Sequence, residues 1–304
     1  MHDSNRKYRG RFAPSPTGPL HFGSLVAAVG SYLEARARRG DWLVRMEDLD
    51  RPREAPGAAD AILRTLEAYG FEWDGEVVFQ SGRDAAYSAA LARLDKQRAV
   101  FPCACTRREI SDSSLPMAGE PVYPGTCRKG VSPGRQTRTT RVRVEDAVVA
   151  FDDRLQGRIE QNLAREVGDF VVRRSDGFFA YQLAVVVDDF EQGVTHVVRG
   201  ADLLASTPRQ VLLQRMLAYP TPQYSHLPVA VNRNGEKLSK QTLAAPLADC
   251  EAPAELVRAL RFLGQDAPAD LAAASIPEIW TWARKNWRTD SIPRRRSLPE
   301  GEAR

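Results

Sequence analysis

Residues 11–24 read RFAPSPTGPLHFGS, and the rest of the chain can be placed around this stretch. A strand-like run, residues 8–13, leads into a turn rich in proline and glycine. A helical pattern then begins at Gly23 and carries apolar residues at Leu25, Val26, Val29 and Leu33. A strand, a tight turn and a helix start present backbone N–H groups and the positive end of the helix dipole, which favours an anion such as a nucleotide phosphate. The glycines are not spaced as GxGxxG or GxxxxGK(S/T), which excludes the usual dinucleotide and P-loop motifs.

A second motif lies far along the chain, where residues 237–240 read KLSK. Together with His21-Phe22-Gly23-Ser24 it resembles the HIGH and KMSKS elements of class I aminoacyl-tRNA synthetases. The PSPTG sequence of residues 14–18 narrows the resemblance to the glutamyl and glutaminyl branch. Within that branch the chain resembles the glutamyl-Q family, which are shortened paralogues of glutamyl-tRNA synthetase. The likeness extends over residues 9–241 and fades beyond them.

The resemblance implies an α/β protein with a class I nucleotide-binding, Rossmann-like fold, a zinc-containing β-rich insertion and a short C-terminal helical region. The residues agree, because strand and helix patterns alternate as in a parallel sheet. Ligands of such sheets lie at the carboxyl ends of the strands. We predict the first half of the catalytic domain at residues 1–99, the insertion with the zinc site at 100–196, the second half with the KLSK loop at 197–245, and the C-terminal helices and tail at 246–304.

Two local predictions depend on pattern alone. Residues 170–174 and 178–187 are apolar segments joined by Ser175-Asp176-Gly177, which predicts a β-hairpin. The arginine-rich tail, residues 294–304, is highly charged, and we expect it to be disordered.

Amino-acid activation is attack by a carboxylate on the α-phosphorus of ATP, which expels pyrophosphate. The enzyme must align two anions and stabilise charge on the phosphoryl oxygens. The resemblance assigns catalysis to His21, Lys237 and Lys240 and ATP binding to His21, Gly23, Ser24 and Lys240, with Mg²⁺ bridging phosphate oxygens. Ser24 replaces the second histidine of the motif's name, a small residue that glutamyl-type enzymes tolerate.

A glutamate pocket needs an arginine for bidentate capture of a carboxylate and an acidic group for the ammonium. The resemblance places glutamate against Arg11, Phe12, Ala13, Pro14, Ser15, Glu47, Tyr181 and Arg199. One departure concerns residues 201–203, which read ADL where glutamyl-tRNA synthetases usually carry Glu-Asp-His. The pocket is therefore expected to be looser than that of the parent enzyme.

Three of the four cysteines, Cys103, Cys105 and Cys127, lie within twenty-five residues of one another. This is not a disulfide framework in a chain of 304 residues, and a metal site or reduced thiols remain as alternatives. Three thiolates leave a tetrahedral zinc one ligand short. The resemblance completes the site with Tyr123 and implies one structural zinc per chain.

Composition limits the class of protein. Apolar residues make up 43% of the chain, enough for a sizeable core, and the net charge of +4 permits a polyanionic partner. The first ten residues carry no apolar signal segment, and no stretch approaches eighteen apolar residues. We expect a cytoplasmic monomer without a membrane partner.

About sixty residues follow Gln241, too few for the anticodon-binding region of full-length synthetases. The resemblance implies instead that glutamate is activated without tRNA and transferred to the cyclopentenediol of queuosine at position 34, in the anticodon stem-loop of tRNA(Asp). Two alternatives remain: a minimal glutamyl-tRNA synthetase that charges a tRNA 3′ end, and a non-catalytic tRNA-binding relative.

Overall fold

Strands and helices alternate along most of the chain. The structure, a computed structural model, describes residues 7–113, 121–232, 234–238 and 245–300. The strands are β1 (Arg9–Phe12), β2 (Asp41–Met46), β3 (Val78–Phe79), β4 (Val100–Cys103), β5 (Thr139–Val142), β6 (Val148–Asp153), β7 (Gly157–Asn162), β8 (Val171–Arg173), β9 (His196–Gly200), β10 (Gln223–Leu227), β11 (Val229–Val231) and β12 (Ser297–Pro299). The helices are α1 (Phe22–Ala37), α2 (Ala58–Ala68), α3 (Asp84–Lys96), α4 (Arg107–Ser113), α5 (Leu163–Glu166), α6 (Tyr181–Glu191), α7 (Thr207–Met216), α8 (Ala252–Phe262) and α9 (Ile276–Asn286). None of these described helices is long and apolar enough to cross a bilayer.

The central sheet consists of two hydrogen-bonded groups of strands, β3-β2-β1 and β9-β10, which lie side by side in the order β3-β2-β1-β9-β10. β1 pairs with β2, β2 with β3, and β9 with β10, all in parallel. β1 and β9 lie side by side, because the backbone N–H of Thr195 donates to the carbonyl of Arg9 at 2.9 Å. From β1 the chain adds strands toward one side of the sheet, and from β9 it adds them toward the other side. Open α/β sheets bind ligands at the carboxyl ends of the strands beside such a change. The predicted α/β architecture is confirmed.

The β-rich region after β4 divides into two parts. β4, β5 and β8 form a separate antiparallel sheet. β6 and β7 form an antiparallel hairpin, and β6 also pairs in parallel with β10, with Asp153 opposite Tyr224. The hairpin therefore extends the central sheet and places Asp153, the last residue of β6, beside β10.

The predicted hairpin at residues 170–187 is wrong in its second half. Phe179 makes one isolated bridge to Arg173, and the chain then continues as helix α6. Residues 183–187 are buried on every side of that helix. A short apolar run that is buried all round has no periodicity by which a helix can be distinguished from a strand.

The C-terminal helices pack on α1 through an aromatic cluster. The rings of Tyr32 and Phe71 each contact the other and both Trp42 and Trp280, with centroid separations of 4.8–5.5 Å. Trp280 also donates from its indole N–H to the carbonyl of Tyr69 at 2.9 Å. The C-terminal region is thus part of the main core.

The prediction of a disordered tail is wrong for its described part. β12 pairs in parallel with β11, and the N–H of Glu300 donates to the carbonyl of Val231 at 2.9 Å. Leu298 is buried in this pairing. The residues around Leu298 are mostly charged, so the sequence pattern indicates no strand. One apolar side chain is nevertheless enough to dock a short strand here. Residues 301–304 lie outside the described part of the chain.

Candidate active site

The helix start predicted to bind phosphate is formed by His21 and the first turn of α1. His21 is the N-cap residue, with extended backbone angles (φ −129°, ψ 173°). The N–H of Leu25 donates to the carbonyl of His21 at 3.0 Å, which makes residues 22–24 the first turn, and that turn contains no acidic residue. Gly23 is closely packed, because a Cβ there would lie 3.1 Å from Cε1 of His21 and the ring would have to shift slightly.

The described part of the KLSK loop lies against this helix start. The N–H of Leu238 donates to the carbonyl of Ala230 at 2.9 Å, and the carbonyl of Leu238 lies 3.4 Å from the position of a Cβ on Gly23. Lys237 forms a 2.6 Å ion pair with Asp202, which belongs to the stretch that departs from the glutamyl-tRNA synthetase pattern. Residues 239–244, including the predicted catalytic Lys240, lie outside the described residues.

The charged residues predicted to hold glutamate converge at the carboxyl ends of β1, β2 and β9. The carboxylate of Asp189 accepts from Arg11 at 3.1 Å and from Arg45 at 2.8 Å. Arg45 also donates to Glu47 at 3.2 Å. These four charged groups are nearly or fully shielded from water. The result is a compact set of alternating charges, which suits an amino acid with two carboxylates and one ammonium.

Burial decides how these groups titrate. Burial raises the pKa of Glu47 above its usual range, although Arg45 and Arg11 act against it. Burial acts in the same way on Asp189, but the guanidinium groups of Arg11 and Arg45 outweigh it and hold the pKa of that carboxyl below its usual value. Burial also raises the pKa of the Tyr181 phenol. Tyr181 therefore stays a neutral hydrogen-bonding group at physiological pH.

Arg199 lies near the end of β9 and is held in place by the elements around it. Its Nη2 donates to Thr207 and to Gln210, each at 2.8 Å. Its Nη1 donates to the hydroxyl of Tyr181 at 3.4 Å. Arg199 and Tyr181 are therefore brought together, as the resemblance implies.

The other predicted site residues occupy different environments. The ring of Phe12 packs in the core against Trp42, with 6.1 Å between the ring centroids. Only the backbone of Phe12 therefore faces the carboxyl ends of the strands. Pro14 accepts from the N–H of Glu47 at 2.9 Å, Ala13 is half-buried, and Ser15 is exposed. Ser24 is half-buried in the first turn of α1.

Several residues of this region were not predicted from the sequence. They share one property, which is that they are polar side chains buried beside a predicted ligand of glutamate: Arg45, Asp153, Asp189, Thr207, Gln210 and His226. A signal was present in some cases, since Arg45 interrupts the apolar strand β2 and Asp189 follows the apolar run in α6. A charged residue inside an apolar segment indicates a buried partner.

The candidate metal centre gathers all four predicted ligands. The sulfur atoms of Cys103, Cys105 and Cys127 lie within 4.8 Å of one another, and Cys105 and Cys127 are 3.6 Å apart. A tetrahedral zinc with Zn–S bonds of about 2.3 Å separates its sulfur ligands by about 3.8 Å. The hydroxyl of Tyr123 lies 3.4 Å from the sulfur of Cys103 and accepts from the N–H of Cys127 at 2.8 Å. Three thiols and a phenol oxygen thus fit a closed site for a soft divalent metal.

Electrostatics around this centre favour a thiolate at one position. Burial acts to raise the pKa of Cys103, but hydrogen bonds from Tyr123 and the N–H of Cys105, together with the Arg141 guanidinium, bring it down to about 7. Arg141 also stacks over the ring of Tyr123, 4.1 Å from its centroid. Burial and the neighbouring thiols raise the pKa of Cys105 to about 11, which a bound cation would oppose.

The comparison with known families agrees with the fold and the site. A family model described as tRNA synthetases class I (E and Q), catalytic domain, matches residues 7–265. This defines the protein as an aminoacyl-tRNA synthetase-like ligase of that class.

Curated relatives identify the particular family. A glutamyl-Q tRNA(Asp) synthetase of Dechloromonas aromatica (strain RCB) is 62% identical over 95% of this chain and 97% of its own length. Another, from Pseudomonas entomophila (strain L48), is 51% identical over the whole of both chains. The chain belongs to the glutamyl-Q tRNA(Asp) synthetase family. The resemblance seen in residues 9–241 is confirmed, but the expectation that it fades beyond them is wrong, because the relatives match 95–100% of the chain.

A solved structure supports the same fold. Glutamate-tRNA synthetase from Elizabethkingia anophelis superposes with a TM-score of 0.80 at 25% identity, covering 97% of this chain and 68% of that chain. The two proteins therefore share a fold over nearly all of the shorter chain.

Proposed function

We propose that this enzyme activates L-glutamate with ATP in the absence of tRNA and transfers the glutamyl group to the cyclopentenediol of queuosine at position 34 of tRNA(Asp). The observation that carries the proposal is the match along nearly the entire chain to relatives named glutamyl-Q tRNA(Asp) synthetase. The alternating charges around Asp189 agree with it, because they match the charges of glutamate.

The first step joins two anions. The α-carboxylate of glutamate attacks the α-phosphorus of ATP, and pyrophosphate leaves with the bonding electrons. We assign His21, the N–H groups of Gly23 and Ser24, and Lys237 with Lys240 to ATP and to the charge that develops on it. The partly exposed Lys237 is available for exchange from Asp202 to a phosphate. Mg²⁺ is expected to accompany ATP and neutralise its phosphate oxygens.

Glutamate is assigned to the pocket at the ends of β1, β2 and β9. Arg11 and Arg199 would bind its carboxylates, Glu47 its ammonium, and Tyr181 an oxygen of the bound substrate. Ser15 and the backbone of residues 12–14 would line the entrance. This assignment is supported because the residues are distant in sequence but lie together at the carboxyl ends of these strands.

The remaining expectations are proposals of the same kind. Zinc, one per chain, is the metal that best matches the donor set of Cys103, Cys105, Tyr123 and Cys127. The domain boundaries at residues 99, 196 and 245 and the monomeric state remain predictions. We place the enzyme in the cytoplasm, because that compartment contains its tRNA substrate.

The direct test is glutamate-dependent exchange of pyrophosphate into ATP without RNA, followed by transfer of labelled glutamate to tRNA(Asp) that contains queuosine. We expect exchange without RNA, transfer to this tRNA, and no transfer to the same tRNA carrying guanosine at position 34. A matched acceptor that lacks its 3′-terminal adenosine should be labelled equally well.

The alternatives give different results. A minimal glutamyl-tRNA synthetase would label tRNA(Glu) and would require an intact 3′ end. A non-catalytic tRNA-binding relative would exchange no pyrophosphate under any condition. Either result would contradict the proposed function.

A further inference from the structure

A buried histidine and aspartate lie directly behind Arg199. His226, on β10, is fully buried, and its Nε2 lies 3.1 Å from Nε of Arg199. Its Nδ1 lies 2.5 Å from Oδ2 of Asp153, at the end of β6. Arg199, His226 and Asp153 therefore form a continuous chain of contacts from the glutamate pocket to the end of β6.

The hydrogen-bond donors fix the protonation of the histidine. An arginine side chain carries only donors, so Nε2 of His226 must accept the bond from Arg199. The single ring proton is therefore on Nδ1, where it is donated to Asp153. Burial lowers the pKa of His226 to about 4, although the hydrogen bond to Asp153 acts against it. A neutral ring at physiological pH agrees with this assignment.

Asp153 is itself held in one orientation. Its Oδ1 accepts three backbone N–H groups, from Leu155 at 3.0 Å, Gln156 at 2.9 Å and His226 at 3.2 Å. Only Oδ2 therefore faces the imidazole. The carboxylate determines which ring nitrogen carries the proton, and the ring in turn presents an acceptor to Arg199.

We propose that Asp153 and His226 are positioning residues for glutamate capture, which act by holding Arg199 in its binding orientation. This inference rests on the proposed function, in which Arg199 binds a glutamate carboxylate. Together with Thr207, Gln210 and Tyr181, His226 engages four of the five N–H donors of Arg199. The remaining Nη1 donor, beside Tyr181, is left for the substrate. A guanidinium that is ordered in advance loses less entropy when it binds.

Asp153→Asn gives a sharp test because it changes no volume. The three backbone N–H groups keep the amide oxygen at the Oδ1 position, so the amide NH₂ faces Nδ1 of His226. The ring must then accept at Nδ1 and carry its proton on Nε2, directly opposite the N–H of Arg199. The Nε2 proton can then be donated to the hydroxyl of Thr207, 3.1 Å away, but Nε of Arg199 loses its acceptor and Arg199 is held less firmly.

Two variants of the histidine provide a matched pair. In His226→Asn the amide reaches the Nδ1 position, so it can bond Asp153 but cannot accept from Arg199. In His226→Gln the amide oxygen reaches the Nε2 position and restores an acceptor for Arg199. If His226 had only a structural role, both variants would have the same effect, because both lose the packing of the ring.

The readouts are KM and kcat in pyrophosphate exchange and calorimetric binding of glutamate. We expect Asp153→Asn and His226→Asn to raise the KM for glutamate by about tenfold to hundredfold, the range for losing a hydrogen bond to a charged group. The KM for ATP and kcat at saturating glutamate should change by less than about threefold, and His226→Gln should lie closer to wild type.

Equal effects on both substrates, or no separation between the asparagine and glutamine variants, would overturn the proposal. If His226→Asn fails to fold, the isosteric Asp153→Asn decides alone. A wild-type enzyme that binds no glutamate would overturn the proposed function together with this inference. Wild-type binding with an unchanged KM in the variants would overturn this inference only.

Discussion

At the scale of single residues, Asp189 illustrates how one buried carboxylate can hold a binding site together. It accepts from Arg11 and from Arg45, and none of the three side chains is more than 8% exposed. Two guanidinium groups at such depth are tolerable only while their counter-charge is present. The electrostatics of the proposed glutamate pocket therefore depend on a residue that need not touch the substrate.

Replacement of Asp189 by Asn should destabilise the fold by about 3 kcal/mol or more, because it removes one partner of a buried ion pair. The matched control is Asp152→Asn, whose pair with Arg158 is 3.1 Å long but 77% and 61% exposed. That change should cost less than about 1 kcal/mol. Urea unfolding measures both, and equal losses would contradict the role given to Asp189.

The residue scale also marks the limit of reasoning from sequence. His21, Lys237 and Arg199 belong to motifs with recognisable neighbours, and a family resemblance points to them. Asp189 and His226 belong to no such motif. Their importance arises from contacts of α6 with β1 and β2, and of β10 with β9 and β6, which become visible only in three dimensions.

At the scale of elements, the cysteine centre ties β4 to the loop that contains Tyr123 and Cys127. Cys105→Ser should reduce bound zinc from about one per chain to well below one, because a hydroxyl is a poor zinc ligand. Cys250→Ser, which removes an exposed thiol far from the centre in sequence, should leave the zinc content unchanged. Metal analysis after dialysis measures this, and equal zinc in both variants would refute the site.

Helix α8 ends at a glycine that the fold requires. Gly264 has φ +70°, and a Cβ there would lie 2.1 Å from the carbonyl oxygen of Ser291. Gly75 has almost the same backbone, φ +71°, but a Cβ would meet nothing within 4 Å. The pair therefore separates backbone strain from steric overlap.

Gly75→Ala should cost about 1 kcal/mol, the strain of a left-handed alanine. Gly264→Ala adds a clash with backbone that cannot move without displacing the turn at residues 289–291, and we expect a loss of about 3 kcal/mol or more. Thermal unfolding of the two variants gives the comparison. Similar melting temperatures would mean that the contact with Ser291 relaxes easily.

Elements differ in how well the sequence predicts them. Helix α1 is predicted from Gly23, one residue after its observed start, because a turn rich in proline and glycine precedes it. Helix α6 was mistaken for a strand because its middle is buried on all sides. Strand β12 was missed because its docking depends on β11, a partner that lies more than sixty residues earlier. Local pattern predicts an element whose start is marked by turn residues, and it fails where tertiary contacts decide.

At the scale of the whole molecule, the dependence of stability on pH adds the contributions of its buried groups. His226 and His196 both have a pKa of about 4, below the usual value of about 6.5, chiefly because burial disfavours the charged ring. Between pH 6.5 and 4 the unfolded chain therefore binds protons that the folded chain does not. The free energy of unfolding must fall as the pH falls through this window.

Other buried groups contribute with the opposite sign. The raised pKa of Glu47 means that the folded chain keeps a proton that the unfolded chain releases, so this contribution decreases as the pH rises through the raised pKa. The slope of the unfolding free energy against pH is thus the sum of the contributions of all these groups. The contribution of one group is isolated by replacing that group. His226→Gln does this while it keeps an acceptor for Arg199.

For His226, the drop from pH 7 to 4.5 should cost the wild-type protein about 2 kcal/mol that the glutamine variant does not lose. The variant starts less stable at pH 7, and the two curves should converge as the pH falls. Urea unfolding at pH 7, 6, 5 and 4.5 measures both curves. Curves that stay parallel would show that His226 is protonated equally in the folded and unfolded chains, which its contacts with Arg199 and Asp153 do not allow.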